Sequence, residues 1–183
     1  MLSAISHRLA SLASLWGHSS RARFCILFGA YVLALGWLFE RWEMAFARFY
    51  LLPVSHVATA SLNLLGLEAR LEVGALAQGF CDIVLPSITL HIIHECTGIF
   101  TLFMFLAAVF AFPASLTARL AGAALGSAAF FAYSSVRLAF LGVVGHVAPD
   151  WVWVIHVWLM ILINLGFALC LWLTWVSRVR RHG

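Results

Sequence analysis

Residues 90–112 read LHIIHECTGIFTLFMFLAAVFAF, and the change of character partway along this stretch decides how the chain is read. Two histidines (His91, His94), a carboxylate (Glu95) and a thiol (Cys96) crowd into its first seven residues. From Ile99 to Phe112 the run is almost wholly apolar. Only helices and closed barrels satisfy their own backbone hydrogen bonds in lipid, so the second half reads as a membrane helix. Cys96 falls where that helix meets water. A thiol there is wet enough to ionise and is backed by a low-dielectric wall, which suits a nucleophile. A small interfacial residue without chemistry fits the same position, so the choice rests on the rest of the chain.

Composition supports the membrane reading. Of 183 residues, 64% are hydrophobic and 10% charged, against about 45–50% and about 25% in soluble domains. Four or five spans of about 20 residues consume a chain of this length, which leaves one bundle and no separate soluble domain. The formal charge of +4 comes from arginines near the two ends (Arg8, Arg21, Arg23; Arg178, Arg180, Arg181), and there is no lysine. Arginines beside membrane helices are ordinarily topology signals kept in the cytoplasm. That argues against a nucleic-acid partner.

Outward from the opening stretch, the expected architecture is an all-α membrane helix bundle of about four spans. Residues 1–23 read as a cytoplasmic tail and 24–39 as an uncleaved first span, since no small-x-small site follows it. Residues 44–66 carry Arg48, Pro53, His56 and Asn63 and read as an interfacial or re-entrant helix. In 67–95, Glu68, Arg70 and Glu72 alternate with Ala69, Leu71 and Val73, and 84–93 is rich in β-formers around Pro86-Ser87. These imply a small extracytoplasmic hairpin or strand pair. Span two is expected at 97–112, span three at 120–145 and span four at 151–176. The expected membrane-embedded domain is 24–176, with 177–183 a basic cytoplasmic tail. An even number of spans keeps both arginine-rich ends on one side.

On that layout three polar residues converge. Cys96 opens span two at the outer face. Arg137 lies eight residues before the outer end of span three, roughly 12 Å deep, and His156 lies about 7–8 Å into span four. An arginine at that depth costs several kcal/mol and marks a functional position, unless it snorkels outward. His156 alone reads equally as an interfacial histidine, and His91, His94 or His146 are possible substitutes for it. Together Cys, Arg and His supply a thiol acyl-transfer centre: a nucleophile, a proton shuttle and a cation for the oxyanion.

Cys-Thr-Gly-Ile at 96–99 opening a span, an arginine on the next span and a histidine early on the last resemble the exosortase/archaeosortase family of membrane transpeptidases. The resemblance covers about residues 67–175. It implies Cys96 as nucleophile, Arg137 as transition-state stabiliser and His156 as acid/base, with Glu95, Thr97, Gly98, Ser134 and His146 in supporting or substrate-binding places. It implies no cofactor and a prokaryotic cytoplasmic membrane, with the site facing outward. The implied substrates are secreted proteins bearing a C-terminal sorting tail (motif, membrane helix, basic cluster), passed to a lipid or polysaccharide acceptor. Ser134 stands where the family often has asparagine, and Glu95 where many members have alanine. The small-residue face of span three, with Gly122 and Gly126, is expected to admit the substrate helix.

Three other readings compete. A haem or metal protein would use His91, His94, His146 or His156. A thiol oxidoreductase would pair Cys81 with Cys96. A non-catalytic assembly protein would tolerate Cys96→Ala.

Overall fold

A computed structural model describes residues 20–182; the expected tail at 1–23 lies mostly outside them. The fold is mostly helical, with one small sheet. Helix α1 is Ser20–Arg41. Next come α2 (Glu43–Phe46), a π-helical turn (Ala47–Leu51) and α3 (Leu52–Leu64). Strands β1 (Arg70–Glu72), β2 (Cys81–Val84) and β3 (Thr89–Ile92) follow. Then come α4 (Ile99–Ala111), α5 (Leu116–Val147), a short α6 (Val152–Val154), a second π-helical turn (Ile155–Leu159) and α7 (Met160–His182).

Among the described residues three helical stretches are long and apolar enough to cross a membrane: Arg21–Arg41, Leu116–Val147 and Pro149–Arg181. Their outer faces bear large apolar side chains in the open, such as Leu33, Leu125 and Leu162. A continuous apolar surface of this kind needs lipid or protein against it. The expected second span is the exception. Its helix, α4, has 13 residues and so reaches about 20 Å, short of a hydrocarbon core of about 30 Å.

Rings knit the helices together. Tyr31 meets Phe110 and Phe39 meets Phe100, so α1 and α4 run antiparallel. Phe105 of α4 packs on Phe130 of α5, which packs edge-on to Phe167 of α7. Gly126 admits Phe105 and Gly122 admits Trp175, since a Cβ at either glycine would overlap the ring. Gly122 and Gly126 are therefore filled by the chain's own aromatics, which overturns the expectation that these two positions receive a substrate helix; Ala121, Ala124 and Ala128 stay exposed.

Residues 44–66 form a bent helix standing beside the last third of α5. Tyr50 touches Phe131 and Ser134, whereas Leu62 lies over Gly142, so the two helices run in the same direction. Pro53 cannot return a hydrogen bond to Phe49, and the widened π turn lies immediately before it. The helix ends where Gly66 takes φ +80; Leu67 N–H bonds Leu62 O and Gly66 N–H bonds Asn63 O, a Schellman stop. Asn63 then brackets Ala69, donating to its carbonyl and accepting from its amide at 3.0 and 2.7 Å.

The expected strand pair is a three-stranded antiparallel meander, ordered β1-β2-β3. Arg70 faces Val84 across the first pair, and Cys81 faces Ile92 across the second. Ile83, Leu90 and Ile92 turn inward onto Leu62, Leu138 and Leu141, so the sheet caps one end of the bundle. All seven side-chain carboxylates of the chain lie at this capped end. Glu40 and Glu43 flank the α1–α2 bend, Glu68, Glu72 and Asp82 belong to the sheet region, Glu95 precedes Cys96, and Asp150 follows α5.

Candidate active site

Cys96 is not on a helix. It lies in a 3-10 turn, His94–Thr97, and α4 begins only after Gly98, whose φ of +72 turns the chain. The expectation that Cys96 opens span two is corrected by one turn. A left-handed residue cannot continue a right-handed helix, and glycine adopts that conformation without a Cβ penalty. A Cβ at Gly98 would also stand 3.2 Å from Asn164 Oδ1 and 3.6 Å from an Arg137 terminal nitrogen. The turn thus lies directly against α5 and α7.

The three residues expected to converge do so. The Cys96 Sγ lies 3.5 Å from His156 Nε2. Arg137, 7% exposed, donates from a terminal nitrogen to the Cys96 backbone carbonyl. It is buried in a protein contact and does not snorkel to the surface. His156 occupies the second π turn, and Tyr50 occupies the first. Single π turns recur at functional sites because they displace one side chain from the helical register, and here both flank one cysteine.

The turn is held from below. Ser134 Oγ donates to Thr97 O at 2.6 Å, and Tyr50 Oη lies 3.3 Å from Ser134 Oγ. Thr97 Oγ1 donates to His94 O at 2.6 Å. Asn164 Nδ2 donates to Thr101 Oγ1 at 2.6 Å, leaving its buried Oδ1 without a protein partner beside Gly98. Ser134 therefore fastens the cysteine turn. Glu95 is exposed and takes no part in this network. The structure does not bring His146 to the site; it bonds Ser87, in the turn between β2 and β3, at 3.1 Å.

Burial pushes the Cys96 thiol up from its ordinary range. The Ile93 backbone amide and the Arg137 guanidinium oppose that shift, and Glu95 adds to it. The resting side chain is consequently a neutral thiol that needs a base to become a nucleophile. His156 Nε2 is the base within reach. For Nε2 to accept, the ring carries its proton on Nδ1, which is buried with no protein partner. No carboxylate orients this histidine, so its aim comes from packing in the π turn.

His91 and His94, the other candidate histidines, are committed elsewhere. His91 Nδ1 lies 2.8 Å from Asp82 with its ring on Phe80. His94 is buried edge-on against Phe39, with Nε2 3.8 Å from Glu43, and burial lowers its pKa. Among the described residues no three His, Cys, Asp or Glu side chains gather as a metal site. All four cysteines are free, and the Cys81 thiol donates to Ser55 Oγ at 3.3 Å.

Sequence reasoning missed Asn164 and Tyr50. An amide inside the apolar run ILINLGF carried a usable signal, because polar groups in lipid are expensive. Tyr50 carried none, since its place depends on a bend that periodicity does not encode. Compared with models of known protein families, with curated proteins and with solved structures, the chain shows no match.

Proposed function

We propose that the chain is a membrane-embedded cysteine transpeptidase of the exosortase/archaeosortase type, acting on C-terminal sorting tails of secreted proteins. The observation that carries this reading is the meeting of Cys96 Sγ and His156 Nε2 at 3.5 Å, beside a buried arginine on the nucleophile's own carbonyl. These residues are 60 and 41 positions from Cys96, on separate helices.

In this reading α1, α4, α5 and α7 make four crossings, with α4 completing its passage through the turns at its ends. Both arginine-rich ends then face the cytoplasm and the sheet-capped end faces outward. The substrate helix arrives through lipid with its motif level with Cys96. Sγ attacks the scissile carbonyl carbon while its proton passes to His156 Nε2. The C=O electron pair moves to the oxygen, which the Arg137 charge stabilises in a water-poor setting. As the tetrahedral adduct collapses, the C–N bond breaks and the leaving amine takes the proton from Nε2, which leaves a thioester on Cys96. An acceptor hydroxyl or amine, or water, then attacks the thioester carbonyl and gives its proton to Nε2. The C–S bond breaks and the thiolate recovers that proton.

The test is C-terminal proteomics on membranes of the native host, comparing wild type with Cys96→Ala at equal expression. Proteins ending in an apolar helix plus basic residues keep their tails only in the variant. Equal processing in both removes Cys96 as nucleophile.

A further inference from the structure

At the end of the bundle opposite Cys96 lies an open cavity of about 1490 Å³. Four arginines line it: Arg21 and Arg23 from the start of α1, Arg119 from the first turn of α5, and Arg180 from the end of α7. Among the described residues no Asp or Glu lines it, and all seven Asp and Glu side chains lie around the sheet and the cysteine turn. Residues 1–19 contain no Asp or Glu either, so that segment brings no side-chain counter-charge. Four guanidinium groups around one cavity repel one another unless an anion enters from outside.

Arg119 and Trp172 both line the cavity, and each keeps a buried nitrogen, Nε and Nε1, without a protein partner. Helix α5 also starts here. Ser115 caps it by accepting from the Ala118 amide at 3.3 Å, and its first turn carries no acidic side chain. The free amides and positive end of a 32-residue helix therefore add to the field. Arg180 lies over the Phe112 ring, 5.9 Å from its centre, so an apolar floor sits beneath the cationic rim. Along α5, Arg119 is 18 residues from Arg137, about 27 Å at 1.5 Å per residue. This is close to a hydrocarbon thickness from the cysteine site, which puts the cavity at headgroup depth on the other face.

We propose that this cavity binds the headgroup of an anionic phospholipid, with the phosphate among Arg21, Arg23, Arg119 and Arg180 and the acyl chains leaving along Phe112 and Trp172. The lipid supplies counter-charge at an end that holds no Asp or Glu side chain. The inference rests on the membrane reading of the helices and is independent of the chemistry at Cys96.

The test is native mass spectrometry of detergent-purified protein, offered equal phosphatidylglycerol and phosphatidylcholine, with and without inorganic phosphate. Wild type retains phosphatidylglycerol preferentially, and Arg119→Gln with Arg180→Gln reduces that preference about 25-fold. This is about fivefold per basic side chain, as expected for charges facing anionic lipid. Arg21→Gln with Arg23→Gln, at two exposed positions, gives the same result in a variant whose packing is undisturbed. Arg181→Gln removes a charge from the same end but outside the cavity, and it leaves the preference unchanged. Equal retention of the two lipids overturns the proposal. So does a loss in Arg181→Gln as large as in the cavity variants, which marks diffuse surface charge. Displacement of the lipid by inorganic phosphate at equal concentration assigns the cavity to a free anion and also overturns it.

Discussion

The two ends of this bundle solve opposite problems. The sheet-capped end contains every Asp and Glu side chain of the chain, yet the groups around the cysteine turn are buried beside them. Cys96 and Arg137 are buried, and the hydroxyls of Ser134 and Thr97 and the carbonyls of the turn are paired within the protein. The arginine end is open and has no Asp or Glu side chain among its described lining residues; buried donors without a protein partner occur at both ends, Arg119 Nε and Trp172 Nε1 here, Arg137 Nε and His156 Nδ1 there. One end uses a single buried cation to hold a backbone carbonyl. The other gathers four cations around an open cavity, so burial separates two uses of the same residue type.

The sharpest way to break this contrast is at the cysteine. Cys96→Ala is expected to reduce tail processing by about 10³-fold or more, the scale of losing a nucleophile. His156→Ala is expected to cost about 10²–10⁴-fold, the range of general acid–base catalysis. Both are read as rates of tail loss in reconstituted membranes. The cavity variants Arg119→Gln and Arg180→Gln leave that rate within a factor of about two, if the ends are as independent as the geometry implies.

The packing between the ends gives the next effect. Gly126→Ala forces Phe105 aside and is expected to destabilise the fold by about 1–3 kcal/mol. Gly36→Ala meets nothing within 4 Å and leaves the melting temperature in detergent unchanged. If both substitutions behave alike, the ring-into-glycine packing of α4 on α5 is wrong. Gly98→Ala is expected to cost about 1–2 kcal/mol from its left-handed backbone, and more in turnover than in melting temperature, because its Cβ presses on Asn164.

The smallest effect is electrostatic. Because burial holds the Cys96 thiol above its ordinary range, iodoacetamide alkylation of Cys96 keeps rising with pH beyond the point where an exposed thiol levels off. Glu95→Gln removes a nearby negative charge that disfavours the thiolate, so the inflection moves slightly downward. An alkylation rate already flat at neutral pH would mean a preformed thiolate–imidazolium pair.

Much of this was legible in the sequence because lipid makes polar residues conspicuous. Arg137 stands out among Phe130, Phe131, Phe140 and Leu141, and counting residues along spans puts it in the same outer third of the bilayer as Cys96. The strands around Pro86-Ser87 were legible from β-branched residues, although three strands form where two were expected. What periodicity does not encode is which face of an all-apolar helix meets which neighbour. Gly122 and Gly126 look the same in sequence whether they receive Trp175 and Phe105 or a foreign helix. The two π turns and the one-turn displacement of Cys96 likewise follow from Pro53, Gly98 and long-range packing.

The central claim is that Cys96 and His156 act as one acyl-transfer unit, and its most direct measurement is the intact mass of the protein purified rapidly from its host at low pH. The account predicts a fraction carrying a protein or peptide adduct on Cys96 that neutral hydroxylamine releases, as it does a thioester, and no such adduct in Cys96→Ser or His156→Ala. An unmodified Cys96 in enzyme that is still removing tails, or a hydroxylamine-labile adduct that forms equally well in His156→Ala, would contradict it.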